Sequence, residues 1–122
     1  MQIKVFVDNK IYLCKALLDN GAQSSFISKS FAETLDVPKE TVSCNISGIG
    51  NAYSSEKVTL NITSLYSSHS IVVACHVIDS LPIFLPPFDH IINEKNIQRI
   101  KSLNLADPTF SKGGSIEIIL GA

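Results

Sequence analysis

In the stretch Ala16-Leu17-Leu18-Asp19-Asn20-Gly21-Ala22-Gln23-Ser24-Ser25-Phe26-Ile27, two large apolar residues deliver a carboxylate to the tip of a tight turn. Gly21 follows where the backbone has to bend and leave space for a substrate and an attacking water. Taken by themselves the same residues also suit an ordinary hairpin turn, since Asp-Asn-Gly between apolar runs is strong turn chemistry. The rest of the chain decides between the two readings.

Upstream, Ile3, Val5 and Val7 alternate with Lys4 and Phe6, and Asp8-Asn9-Lys10 supplies a turn before the extended pattern resumes over Ile11 to Leu18. This predicts an opening β-hairpin. Downstream, Ser24 to Ile27 is a short extended piece. Phe31 and Leu35 then share one face of a predicted helix, with Ser28 as its N-cap and Pro38 after its end. Strands are expected over Thr41 to Ile46, over Val58 to Thr63, where apolar residues alternate with Thr59, Asn61 and Thr63, over Ile71 to Ile78, and over Ile116 to Gly121. Ser47 to Asn51 is a small Gly-containing tip. The prolines between Pro82 and Asp89 argue against a central strand there, and Asn93 to Leu103 has helical register. Many short strands with one or two small helices predict a mainly β chain closed into a barrel.

The 122 residues suit one domain spanning 1–122, and 45% hydrophobic against 17% charged residues suits a packed core. A net charge of −1 with scattered Lys and Arg offers no footprint for nucleic acid. No apolar run approaches the roughly 20 residues of a membrane span. Met1 to Val7 has a strand pattern and not that of a signal peptide, so the expected location is cytoplasmic. Cys14, Cys44 and Cys75 are odd in number and unpaired in spacing, which suits buried free thiols in a reducing compartment. The sequons at Asn45 and Asn61 fall inside predicted strands and are taken as chance matches.

Other chemistries find little support. His69, His76 and His90 lack metal-like spacing, so no metal or cofactor is expected. Cys75 and His76 adjoin on one strand and point to opposite faces, which rules out a thiol–imidazole pair. Ser24 and Ser25 have no Gly-x-Ser-x-Gly elbow, and the hydroxyl-rich run Ser64 to Ser70 is expected to be a solvated loop.

Three elements stand in a family order. The Asp19 segment resembles the aspartic-protease signature, in which two apolar residues precede Asp, Ser or Thr, and Gly. Ile119-Leu120-Gly121 resembles the apolar-apolar-Gly element that packs behind the active-site loop in retropepsins. Ile46-Ser47-Gly48-Ile49-Gly50 is similar to their Gly-rich flap, although a plain hairpin tip fits those residues equally. More narrowly, Ala16 to Asp19 running into Gln23 to Ser28, together with Leu105 to Phe110 and Ile116 to Ala122, is similar to the aspartic peptidase domain of Pao/BEL-type retrotransposon polyproteins.

The resemblance implies a retropepsin-like closed barrel (the acid-protease fold) that hydrolyses peptide bonds through paired carboxylates. Asp19 would be catalytic, Asn20, Gly21 and Ala22 the active-site loop, and Gly48, Ile49 and Gly50 the flap over a peptide or polyprotein substrate. Ile119, Leu120 and Gly121 would form the supporting loop. Asp8, Asp36, Asp79, Asp89 and Asp107 lack a following Gly and suit turn or cap roles. The second carboxylate therefore has to be Asp19 of another copy, which makes a homodimer the expected active form. Two departures stand out: Asn20 occupies the usual Ser or Thr position, and the sequence stops at Ala122, short of the family's closing helix and strand. The alternatives are an inactive retropepsin-like module that binds peptides or supports polyprotein architecture, and an unrelated small β-domain.

Overall fold

The computed structural model describes residues 1–45, 53–79, 81, 84–85, 107 and 113–121. Within them, β1 (Gln2–Val7) and β2 (Lys10–Leu18) form the opening hairpin in the register Ile3↔Cys14 and Val5↔Tyr12. Asp8 takes φ 52° in the turn, a left-handed conformation that Asp tolerates better than most residues. β3 (Ser25–Ser28) runs directly into α1 (Lys29–Leu35). Ser28 caps the helix as expected, its Oγ accepting from the Phe31 N–H at 3.3 Å. Asp36 ends it at φ 53°, with its N–H shared between the Ala32 and Glu33 carbonyls.

β4 (Glu40–Asn45), β5 (Tyr53–Ser64), β6 (Ile71–Ile78), β7 (Phe84–Leu85) and β8 (Gly114–Leu120) complete the described elements. The strands close on themselves in the order β1-β2-β8-β3-β6-β5 and back to β1, a six-stranded barrel. β5 makes closure possible through its length of 12 residues. Residues 57–62 pair with β6, while β4 and β1 pair with its two ends. Among the described residues β7 pairs with the start of β8 and lies off the path of the barrel.

Inward-pointing residues fill the barrel: Ile3, Val5, Cys14, Ala16, Ile27, Val58, Leu60, Ile62, Cys75, Val77 and Ile118, with Ala32 and Leu35 of α1 packed against them. A second cluster, Phe26, Ile78, Ile116 and Ile119, lies apart, and Leu17, Ala22 and Leu81 pack against it. A bulge in β8 divides the two clusters. The register with β2 steps from Lys15↔Ile116 to Ala16↔Ile118, so Glu117 is an extra residue. Ile116 and Ile118 consequently enter different clusters, although simple alternation would place them on one side.

The apolar run that begins β6 is largely outside the core: Ile71 and Val72 are 58% and 70% exposed, and the buried part is Cys75, Val77 and Ile78. Of the further aspartates, Asp8 lies in a turn and Asp36 at a helix C-cap, as expected. Asp107 makes a 2.6 Å ion pair with Lys15 in which both side chains are mostly buried. The predicted helix over Asn93 to Leu103 lies outside the described residues, as do Asp89 and His90.

Cys14 and Cys75 are buried free thiols. Burial pushes the Cys14 thiol up to about 12, with the Glu117 carboxylate and Cys75 adding to the effect, and burial alone does the same for Cys75. Both groups are therefore neutral in the fold over a range where they ionise in the unfolded chain. Their contribution to stability is intact below the ordinary value of 9.0 and is lost as the pH rises from there toward about 12. In a Cys44→Ser background, native protein at pH 8 is expected to resist an aromatic disulfide reagent and to release both thiols on unfolding. Chemical denaturation is expected to show stability falling above pH 9. Fast labelling of the native protein would contradict the burial.

Candidate active site

Asp19 stands one residue beyond the end of β2, and its position follows from how β8 is threaded. β2 and β3 are close in sequence, but β8 lies between them, parallel to β2 (Leu17↔Ile119, Leu18↔Leu120) and antiparallel to β3 (Phe26↔Ile119, Ile27↔Ile118). The loop over residues 19–24 therefore arches across the end of β8. The Asp19 N–H continues the β2–β8 pairing by donating to the Leu120 carbonyl at 3.0 Å. Below the loop, Leu17, Ala22, Phe26 and Ile119 share the second apolar cluster. A rigid platform thus holds a polar tip.

Within the loop, the Gly21 N–H donates to Asp19 Oδ1 at 2.9 Å, and the Ala22 N–H donates to the Asp19 carbonyl at 3.2 Å. Asp19, Asn20 and Gly21 are exposed, whereas Ala22 is half-buried. Gly21 has no left-handed φ, so a sharp bend is not what requires glycine. Its role is close approach: a Cβ there would stand 3.3 Å from Asp19 Oδ1. Of the two reasons expected for glycine here, the bend and the space, the geometry supports the space.

Gly121 is the tightest point. A Cβ on it would lie 2.5 Å from the Ser24 carbonyl oxygen, 2.8 Å from the Ser24 carbonyl carbon and 2.9 Å from the Ala22 carbonyl oxygen. All three are backbone atoms of the loop that carries Asp19. Only glycine can pass there. The structure therefore brings Asp19, Asn20, Gly21 and Ala22 against Ile119, Leu120 and Gly121, more than a hundred residues away in sequence from Asp19 at the farthest. Gly48, Ile49 and Gly50 lie outside the described residues.

Two residues join the site that the sequence did not single out for it. Ser25 Oγ accepts from the Gly121 N–H at 3.1 Å and pins the end of β8 to the start of β3. Ser28, only 4% exposed, hydrogen-bonds the Glu117 carboxylate of the β8 bulge while also capping α1. Both of these contacts join strands distant in sequence, so no local pattern marks them, and the pattern at Ser28 marks only its cap.

Asn20 makes no side-chain hydrogen bond to the described residues, and Leu18, on the other side of Asp19, is 63% exposed. A large apolar side chain thus flanks the carboxylate in open solvent. One carboxylate oxygen is held by a backbone N–H, and the group faces outward from a supported loop. Such an arrangement can bind a water or polarise a carbonyl once a second acid stands opposite. Among the described residues, no three His, Cys, Asp or Glu side chains come together in a way that would hold a metal ion, and no helix is long and apolar enough to cross a membrane. Comparison of the chain with protein-family models, with curated proteins and with solved structures finds no match.

Proposed function

We propose that this chain is one subunit of a retropepsin-like aspartic endopeptidase, in which Asp19 from each of two copies forms the catalytic pair. The observation that carries this reading is the threading of β8 between β2 and β3, with Gly121 packed under the Asp19 loop. A hairpin turn in a surface loop needs no such support from a strand at the far end of the chain. The resemblance of the Asp19 and Ile119-Leu120-Gly121 segments to the retropepsin elements agrees with it. The substrate would be a peptide or polyprotein, and the narrower likeness points to polyprotein processing for a Pao/BEL-type retrotransposon in the cytoplasm.

Two carboxylates held close cannot both ionise cheaply, so such a pair shares one proton. The ionised member takes a proton from a bridging water as it attacks the scissile carbonyl. The protonated member donates to the carbonyl oxygen, giving a tetrahedral diol. Proton transfer to the amide nitrogen then lets the C–N bond break. The exposed Leu18 beside Asp19 gives a second copy apolar surface to cover.

A second reading, an inactive module of the same fold, draws on Asn20. In place of a hydroxyl that ties two active-site loops together, its carboxamide is longer and has to find a different geometry. Concentration separates the two readings. For a dyad built from two copies, specific activity against a peptide library is expected to rise with chain concentration, in step with dimer mass in analytical ultracentrifugation. Activity per chain that stays constant while the protein is monomeric would rule out a shared dyad, and dimer without cleavage would favour the inactive module.

A further inference from the structure

The outer face of the barrel holds an open cavity of about 380 Å³ that is separate from the Asp19 loop. Lys4 and Phe6 of β1 enter it because they alternate with the buried Ile3 and Val5. Asn61 and Thr63 of β5 stand beside them in the register Lys4↔Thr63 and Phe6↔Asn61. The hydroxyl-rich connection after β5 forms the remaining wall with Ser67, Ser68 and Ser70. Lys4 pairs with Leu13, which lies six residues before Asp19, about 20 Å away along an extended strand.

This wall is more ordered than a solvated loop has to be. Thr63, 7% exposed, donates through its hydroxyl toward the Ser67 carbonyl at 3.2 Å and the His69 carbonyl at 2.8 Å. Ser67 Oγ accepts from the His69 N–H at 3.0 Å. Thr63 and Ser67 thus spend their hydroxyls on holding the loop in place. By contrast, the Lys4 ammonium, the Asn61 carboxamide and the Ser68 and Ser70 hydroxyls make no hydrogen bond or ion pair with the described residues. These donors gather at one cavity, beside the aromatic ring of Phe6, and among the described residues its lining includes no carboxylate.

We propose that this cavity binds a small organic phosphate. Lys4 supplies the charge for the phosphate group, the serine hydroxyls and Asn61 donate to its oxygens and to polar substituents, and Phe6 gives the carbon skeleton an apolar surface. A cationic donor set without a competing carboxylate selects an anion, and the aromatic wall selects one that carries carbon. The cavity's volume is in the range of small-molecule sites. The inference stands independently of the peptidase reading.

Titration of ¹⁵N-labelled protein with glucose 6-phosphate, inorganic phosphate and glucose at fixed ionic strength tests it. Glucose 6-phosphate is expected to shift the amides around Lys4, Asn61 and Ser67 to Ser70, and to bind more tightly than either fragment. Lys4→Met is expected to weaken binding by about tenfold with an unchanged melting temperature, in keeping with loss of one charge-assisted contact. The double variant Ser68→Ala/Ser70→Ala is expected to weaken it less. Absence of shifts at millimolar probe, equal affinity for inorganic phosphate and the sugar phosphate, or unchanged affinity in Lys4→Met would each overturn the proposal.

Discussion

Asp19→Asn is expected to abolish peptide cleavage, by roughly a thousandfold or more, while leaving the fold intact. Within the described residues the Asp19 side chain has one hydrogen bond, accepted by Oδ1 from the Gly21 N–H, and an asparagine Oδ1 can accept the same bond. The residue is exposed, so little packing is at stake, and stability is expected to change by no more than about 0.5 kcal/mol. What the amide cannot do is take a proton from the attacking water or share one with a second carboxylate. Wild-type cleavage is accordingly expected to follow a bell-shaped pH profile on the acidic side of neutrality, because fully protonated and fully ionised pairs are both unproductive. Purified Asp19→Asn protein that still cleaves would remove Asp19 from the chemistry. Inhibition by a chelator or a thiol reagent, with no effect of a statine-type inhibitor, would point to a different class of hydrolase.

The second large effect is expected at Gly121. A methyl group there meets backbone atoms of Ser24 and Ala22 at 2.5–2.9 Å, and backbone cannot rotate aside as a side chain can. Gly121→Ala is therefore expected to cost about 2–3 kcal/mol of stability, at the upper end of small-to-large substitutions in packed sites. Cleavage should fall with it, because the displaced residues carry Asp19. Gly21→Ala provides the contrast. Its Cβ meets the Asp19 carboxylate oxygen at 3.3 Å, a side-chain atom that can move. Stability is expected to change by less than about 1 kcal/mol, whereas activity should drop sharply as the carboxylate is pushed out of place. Denaturant titration and a cleavage assay on both variants separate support of the loop from placement of the acid. Equal stability losses at the two glycines would mean that Gly121 is not the buttress the geometry makes it.

Much of the local architecture was legible in the residues themselves. Alternation from Ile3 to Val7 and from Val58 to Ile62 marks strand faces, because side chains in extended chain point to opposite sides in turn. Ser28 three residues before Phe31 marks a helix start, because a hydroxyl at that spacing reaches a free N–H. Asp19 stood out as a carboxylate at the end of an apolar strand. Each of these signals arises within a few residues, where the chain's own geometry is the only partner needed.

Strand neighbours are another matter. Period two says which way a side chain points and nothing about what lies beside the strand, so β8 could not be placed between β2 and β3 from pattern alone. That placement makes Gly121 indispensable, gives Ser25 a partner at Gly121, and turns Glu117 into a bulge that sends Ile116 and Ile118 into separate clusters. Tertiary structure likewise leaves the apolar start of β6 in solvent and buries the Lys15–Asp107 pair. The sequence by itself determined which residues could form strands and which carboxylate could sit at a turn. Closure of the barrel decided what supports that carboxylate, since contacts across about a hundred residues depend on the packing of the whole ring and not on any local preference.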